Sequence, residues 1–144
     1  MNWASNLKNW ALCCLAFLLF ACQETQERPA ELVTIELTDN FNERRKLLRK
    51  LSESSNEYKA AWGSIYLCQY DVGEYRFVSA LDHLSKAEDL ILQRNIEALK
   101  QKLYYLKAHI YWNLGLDITT VTDFSLKAIG LGSKGTTAAL ASRC

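Results

Sequence analysis

The chain has little of what interrupts a helix, since its 144 residues include one proline and six glycines. This scarcity favours long, uninterrupted helices, because proline and glycine are the poorest helix formers. The chain also has no excess of either charge, with 17 basic residues against 16 acidic ones. A protein that binds nucleic acid would show a strong basic excess, so we expect no nucleic-acid partner. Hydrophobic residues make up 49% of the chain, which exceeds the range of disordered proteins and favours a compact helical domain.

Residues for catalysis or metal binding are equally scarce. The two histidines, His83 and His109, have no cysteine or carboxylate beside them at ligand spacing, so we predict no metal site. Residues 130–135 carry the letters of a dinucleotide-binding fingerprint, but they follow a predicted helix instead of a strand. No local signature marks a nucleophilic serine. We therefore predict no catalytic residues, no bound cofactor and a protein that is not an enzyme.

No apolar run reaches the roughly 20 residues that a helix needs to span a bilayer. The apolar run at residues 10–21 follows a polar segment that contains one lysine, Lys8. Its length is typical of the hydrophobic core of a signal peptide. A short, uncleaved membrane anchor is the alternative.

The end of this run, Leu19-Phe20-Ala21-Cys22, resembles the lipobox of bacterial lipoproteins. The resemblance implies that residues 1–21 are removed and that Cys22 carries a thioether-linked diacylglycerol and an acylated amino end. Several acyl chains anchor a protein stably where one would be marginal. Gln23 stands where inner-membrane lipoproteins tend to have aspartate, so the resemblance implies the outer membrane, facing the periplasm. The covalent lipid is the only non-protein group that it implies.

Two further cysteines, Cys68 and Cys144, follow the lipidated one, whereas Cys13 and Cys14 would leave with the signal peptide. A disulfide between Cys68 and Cys144 is possible in an oxidising envelope. A buried, free Cys68 is the alternative, because no spacing motif accompanies the two thiols.

The sequence divides into four segments, and the third holds the predicted domain. These are a signal peptide at 1–21, the lipidated cysteine and tether at 22–38, a helical domain at 39–132, and a flexible tail at 133–144. Weak alternation at residues 31–37 predicts a short strand or an extended linker. Apolar residues at steps of three and four then predict five helices. They lie at about 39–51, 56–72, 74–93, 95–114 and 117–130. The fourth has two apolar stripes, so we expect it in the middle of the domain.

Two helix pairs resemble degenerate tetratricopeptide repeats. The matching residues are Trp62, Gly63, Tyr66, Ala80, Leu84 and Ala87 in the first pair, and Ala108, Tyr111, Gly115, Phe124 and Ala128 in the second. In such arrays small residues let helices approach closely while aromatic residues fill the gaps between hairpins. The resemblance covers residues 58–128 and implies an all-α array of antiparallel helical hairpins. A small helical bundle is the alternative.

Two surfaces are candidates for binding. Helical arrays commonly bind a helix or an extended peptide in a groove, and Tyr105 and Trp112 share one face of the fourth helix, beside its main stripe. We predict that these two residues contact a partner. A basic cluster lies close to the lipidated end, at Arg44, Arg45, Lys46, Arg49 and Lys50. An ordinary solvated helix face is the favoured interpretation of this cluster, and contact with anionic lipid head groups is the alternative.

These observations predict a membrane-anchored lipoprotein whose helical domain is an interaction or assembly module for another envelope protein or peptide. A lipid-anchored structural or exclusion-type surface protein without a peptide groove is the alternative. An enzyme would need a pocket that no motif in the sequence indicates.

Overall fold

A computed structural model describes the backbone of residues 28–141 and the side chains of residues 28–131. Every regular element in this part of the chain is a helix, which confirms the all-α class. The six helices are α1 (Ala30–Glu36), α2 (Phe41–Ser52), α3 (Glu57–Gly73), α4 (Phe77–Gln93), α5 (Glu97–Asn113) and α6 (Ile118–Ala141). The last five correspond to the five predicted helices.

The turns after α3, α4 and α5 have the same form. Tyr75, Asn95 and Gly115 are evenly spaced along the chain and have φ angles of 57°, 50° and 69°. The amide that follows each of them donates to the carbonyl five positions back, as Arg76 does to that of Asp71 at 2.8 Å. This pairing is the Schellman motif, which satisfies the last carbonyls of a helix while reversing the chain. Corresponding helices of successive hairpins therefore begin about 40 residues apart, a longer period than the 34 of tetratricopeptide repeats.

Helices that follow each other in the chain pack side by side, and α5 also contacts α3. Helix α5 thus lies against α3, α4 and α6, which confirms its predicted central place. Its main stripe is fully or nearly fully buried, at Ile96, Leu99, Leu103, Leu106 and Ile110. The repeat-like residues of α4, Ala80, Leu84 and Ala87, are buried too, together with Ile91. The result is a set of packed helical hairpins, compatible with both predicted architectures, an array or a small bundle.

The prediction of a strand or an extended linker at residues 31–37 was wrong, because α1 is a helix over Ala30–Glu36. Leu32 and Ile35, three positions apart, are buried in the core, whereas Val33 and Leu37 are exposed. A spacing of three places both buried residues on one helical face. The segment predicted as a tether therefore contributes its last part to the domain.

The predicted end of the last helix at Gly130 was also wrong. Helix α6 continues through Gly130 to Ala141. A glycine inside a helix costs only about 1 kcal/mol relative to alanine, and the alanines and leucine at residues 138–141 favour helix.

Cys22, the signal peptide and the other cysteines except Cys68 lie outside the described residues. Between residues 28 and 141, no helix combines the length and the apolar character that crossing a bilayer requires.

Candidate functional site: an apolar groove between α5 and α6

The two stripes of α5 have different partners. The main stripe packs against the preceding hairpin, while Tyr104 and Tyr111 face Phe124 of α6, with ring centroids 6.2 and 5.5 Å from it. The Lys107 ammonium lies 4.5 Å from the centroid of the same Phe124 ring. These aromatic contacts join α5 to α6 along one side and leave a third face of α5 uncovered.

Tyr105 and Trp112 lie on that third face and are 59% and 63% exposed. They line a groove of about 400 Å³ between α5 and α6. The other lining residues are Ala108 and His109 of α5 and Val121, Ser125, Ala128 and Ile129 of α6. The structure therefore brings together the two residues that we predicted to bind a partner, along one groove.

The groove has a buried floor and exposed walls. Ala108, Val121 and Ala128 form the floor and are each 7% exposed, whereas Ile129 of the wall is 66% exposed. Sequence reasoning named Ala108 and Ala128 among the repeat-like residues but missed Ile129. The spacing of Val121, Ser125, Ala128 and Ile129 would have revealed it, since steps of four, three and one keep all four residues on one side of a helix.

The groove is uncharged. None of its eight lining residues is a carboxylate, a lysine or an arginine. Ser125 already donates its hydroxyl hydrogen to the Val121 carbonyl at 2.9 Å, and the His109 ring centroid lies 6.1 Å from that of Tyr105. The surface therefore offers aromatic and aliphatic contacts in place of charge, which suits an apolar ligand surface.

A second cluster, which sequence reasoning missed, surrounds Asp71 at the junction of α2, α3 and α4. Its carboxylate is fully buried, and its Oδ1 lies 3.1 Å from Nη2 of Arg45 and 2.8 Å from Nη2 of Arg76. Ser79 donates its hydroxyl hydrogen to Oδ2. His83 Nε2 lies 3.5 Å from the same oxygen. The cluster joins residues of three separate helices, so no local motif signals it.

This cluster contains a serine, a histidine and an aspartate, but it is not arranged as a catalytic triad. A nucleophilic serine donates to a histidine base, whereas Ser79 donates to Asp71. Burial lowers the pKa of His83, although the Asp71 charge opposes this effect. Its ion pairs and hydrogen bond connect Asp71 of α3 with Arg45 of α2 and with Arg76 and Ser79 at the start of α4.

Cys68 lies one turn before Asp71 and is fully buried as a free thiol. Burial, with a smaller effect of the Asp71 charge, raises the pKa of Cys68 to about 12. The thiol is therefore protonated at neutral pH and a poor nucleophile. Of the two predicted states of Cys68, the structure shows the buried, free thiol of the core. Cys144, the partner in the other state, lies outside the described residues.

The predicted head-group cluster is divided by the fold. Arg44 donates from Nε and Nη2 to the Thr38 carbonyl at 3.0 and 2.6 Å, and Arg45 is bound to Asp71. The other three residues, Lys46, Arg49 and Lys50, are exposed. Two of the five charges therefore have intramolecular roles.

Neither histidine belongs to a metal site in the described part of the chain, where no group of three or more histidine, cysteine, aspartate or glutamate side chains is placed to hold an ion. His109 lines the groove and His83 lies beside Asp71. Comparison of the chain with protein-family models, curated proteins and solved structures found no match.

Proposed function

We propose that this protein is a lipid-anchored interaction module of the bacterial envelope, whose groove between α5 and α6 binds another envelope protein. The observation that carries the proposal is the exposure of Tyr105 and Trp112 along an uncharged groove. Large aromatic residues are enriched at protein interfaces and among the residues that dominate binding energy. Isolated exposed apolar residues are ordinary on a protein surface, but a contiguous groove of them marks a binding site.

The anchor in this proposal is the lipid on Cys22. Its support is the lipobox-like pattern that ends at Cys22. Residues 23–29 separate Cys22 from α1, and a fully extended segment of this length reaches at most about 25 Å. The domain would therefore stay close to the membrane surface and meet partners that are themselves in or near the membrane.

The anchor is tested by growing cells with an alkyne analogue of palmitate and attaching a fluorophore to the recovered protein. We expect label on the wild-type protein and none on Cys22→Ala. A wild-type protein without label, or a label that persists on Cys22→Ala, would contradict the anchor.

The groove is tested by crosslinking in cells that express a C-terminally tagged protein, followed by mass spectrometry. We expect one dominant envelope partner, which is lost when Tyr105 and Trp112 are both replaced by alanine. Leu126→Ala is the matched control, because Leu126 is 63% exposed on α6 and does not line the groove. Both variants should keep the wild-type melting temperature, since these side chains contribute little to the core.

If the double variant retains its partner, the groove is not the binding surface. If the wild-type protein yields no specific partner, the result favours the alternative of a structural surface lipoprotein.

A further inference from the structure

Helix α5 itself occupies a groove, the one formed by α3 and α4. Lys102 donates to Gln69 Oε1 on α3 at 2.8 Å, and Lys107 donates to both carboxylate oxygens of Glu88 on α4 at 2.7 and 2.8 Å. Between these polar contacts, the buried stripe of α5 meets the hairpin. The hairpin of α3 and α4 is therefore a surface that accepts a helix.

The hairpin of α5 and α6 repeats that surface. The two hairpins are compared by aligning the first residue of α5 with that of α3, and the first residue of α6 with that of α4. In this alignment, Gln69 corresponds to His109 and Glu88 corresponds to Ile129. Both of the corresponding residues line the open groove.

The floors correspond in the same way. Cys68 and Ala87, which are fully buried in the first hairpin, correspond to Ala108 and Ala128, which form the floor of the open groove. The groove that holds α5 in the first hairpin is thus present, and open, in the second.

We infer that the groove between α5 and α6 accepts an α-helix of a partner protein, seated on α5 and α6 as α5 is seated on α3 and α4. This inference rests on the proposed function and specifies the partner's chemistry. The partner helix presents apolar residues at the spacing of the α5 stripe, which runs through Leu99, Leu103, Leu106 and Ile110 at steps of four, three and four. At the position of Lys107 it carries an apolar residue, because Ile129 stands where α4 has Glu88.

Two other occupants fit less well. An extended peptide that binds by adding a strand needs the edge of a sheet, and residues 28–141 contain no strand; any other extended peptide is distinguished by the Ala108→Pro peptide below. A second copy of this chain cannot offer α5, because its apolar stripe is already buried against α3 and α4.

The inference is tested with two fluorescein-labelled peptides and the full chain. One peptide has the sequence of α5, residues 97–113, and the other carries Lys107→Leu in the same sequence. Binding is followed by fluorescence anisotropy. We expect the wild-type groove to prefer the leucine peptide, because a lysine opposite Ile129 would lose its hydration without gaining an acceptor.

The substitution Ile129→Glu should reverse this preference, because it restores the carboxylate that Glu88 provides in the first hairpin. We expect each preference to be about tenfold in Kd, in the range of close charge pairs at interfaces. Leu126→Glu adds the same charge to α6 outside the groove and should leave the wild-type preference unchanged. His109→Glu is a second probe, at the position of Gln69, and should strengthen binding of both peptides through their Lys102.

The outcomes separate this inference from the proposed function. Failure of both peptides to bind, or a preference that Ile129→Glu does not change, overturns the helical occupant. A third peptide, the α5 sequence with Ala108→Pro, cannot form a continuous helix. If it binds as tightly as the same peptide without this substitution, the occupant is extended and the inference is overturned. Self-association of the full chain that Ile129→Glu abolishes identifies a second copy as the occupant. These outcomes leave the proposed function standing, because that is tested separately by the lipid label on Cys22 and by loss of the crosslinked partner when Tyr105 and Trp112 are replaced.

Discussion

A Cβ atom on Gly63 would lie 2.3 Å from the backbone nitrogen of Ser52. The last turn of α2 therefore crosses α3 at a point where only a residue without a side chain fits. A third helix also contacts this point, because Lys86 of α4 donates to the Ser52 carbonyl at 2.7 Å. The resemblance to helical repeats predicted that small residues such as Gly63 let helices approach closely. The structure shows that the approaching backbone is that of Leu51 and Ser52 in α2.

We expect Gly63→Ala to destabilise the fold by about 3 kcal/mol, because the added methyl group meets backbone atoms that cannot rotate away. Equilibrium unfolding in urea, followed by far-UV circular dichroism, measures the change. Gly73→Ala is the control in the last turn of the same helix, where an added Cβ meets nothing within 4 Å. It should stabilise the protein by about 0.5–1 kcal/mol through helix propensity. Equal stability of the two variants would contradict the close approach.

Asp71→Asn should lower the free energy of unfolding by about 3 kcal/mol, because it leaves Arg45 and Arg76 without the buried charge that they share. The same urea titration measures this loss. Glu57→Gln is the control, since Glu57 and Arg94 form a pair in which both side chains are largely exposed. Such a pair contributes little, so its removal should leave the unfolding curve close to that of the wild type. A wild-type curve for Asp71→Asn would show that the cluster is not a tie between helices.

His83 should make the fold less stable in mild acid. Burial lowers its pKa below the 6.5 of the unfolded chain, so the unfolded state binds the proton more readily. The stability contributed by neutral His83 is therefore present above pH 6.5 and is lost as the pH falls through the lower, folded-state pKa. The change is measured as the melting temperature between about pH 8 and about pH 5.

Replacement of His83 by glutamine should flatten this dependence on pH. His109→Gln, which alters an exposed side chain, should leave the wild-type slope. A slope that is the same in all three proteins would assign the pH dependence to other groups.

The turn residues Tyr75 and Gly115 should respond in opposite directions to substitution. Both have positive φ angles, which cost a residue with a Cβ roughly 1–2 kcal/mol and a glycine almost nothing. We therefore expect Tyr75→Gly to raise the free energy of unfolding by about 1 kcal/mol and Gly115→Ala to lower it by a similar amount. Tyr75 is 81% exposed, so its ring contact with Phe77 offsets little of the gain. Melting temperatures that move in the same direction would contradict the turn geometry.

The sequence predicted only part of the candidate groove. Tyr105 and Trp112 were predicted because they share one face of a helix whose other faces are apolar, which is a local pattern. Ile129 and the Asp71 cluster were missed, because they become neighbours of their partners only when separate helices pack. Trp112 and Ile129 lie on different helices, as do Arg45 and Asp71, so the periodicity of a single helix cannot connect either pair.

The sequence by itself determined α2 to α5 and the start of α6, because apolar residues recur along the chain at steps of three and four. Helices α2 and α3 begin after Asn40 and Asn56, whose side chains accept the amides of Glu43 and Lys59. Only the tertiary structure decided the rest. A helix as short as α1 is not stable in isolation, so its conformation depends on the burial of Leu32 and Ile35 against its neighbours. The groove between α5 and α6 likewise exists only because separate helices pack side by side, and none of the described residues covers its exposed walls.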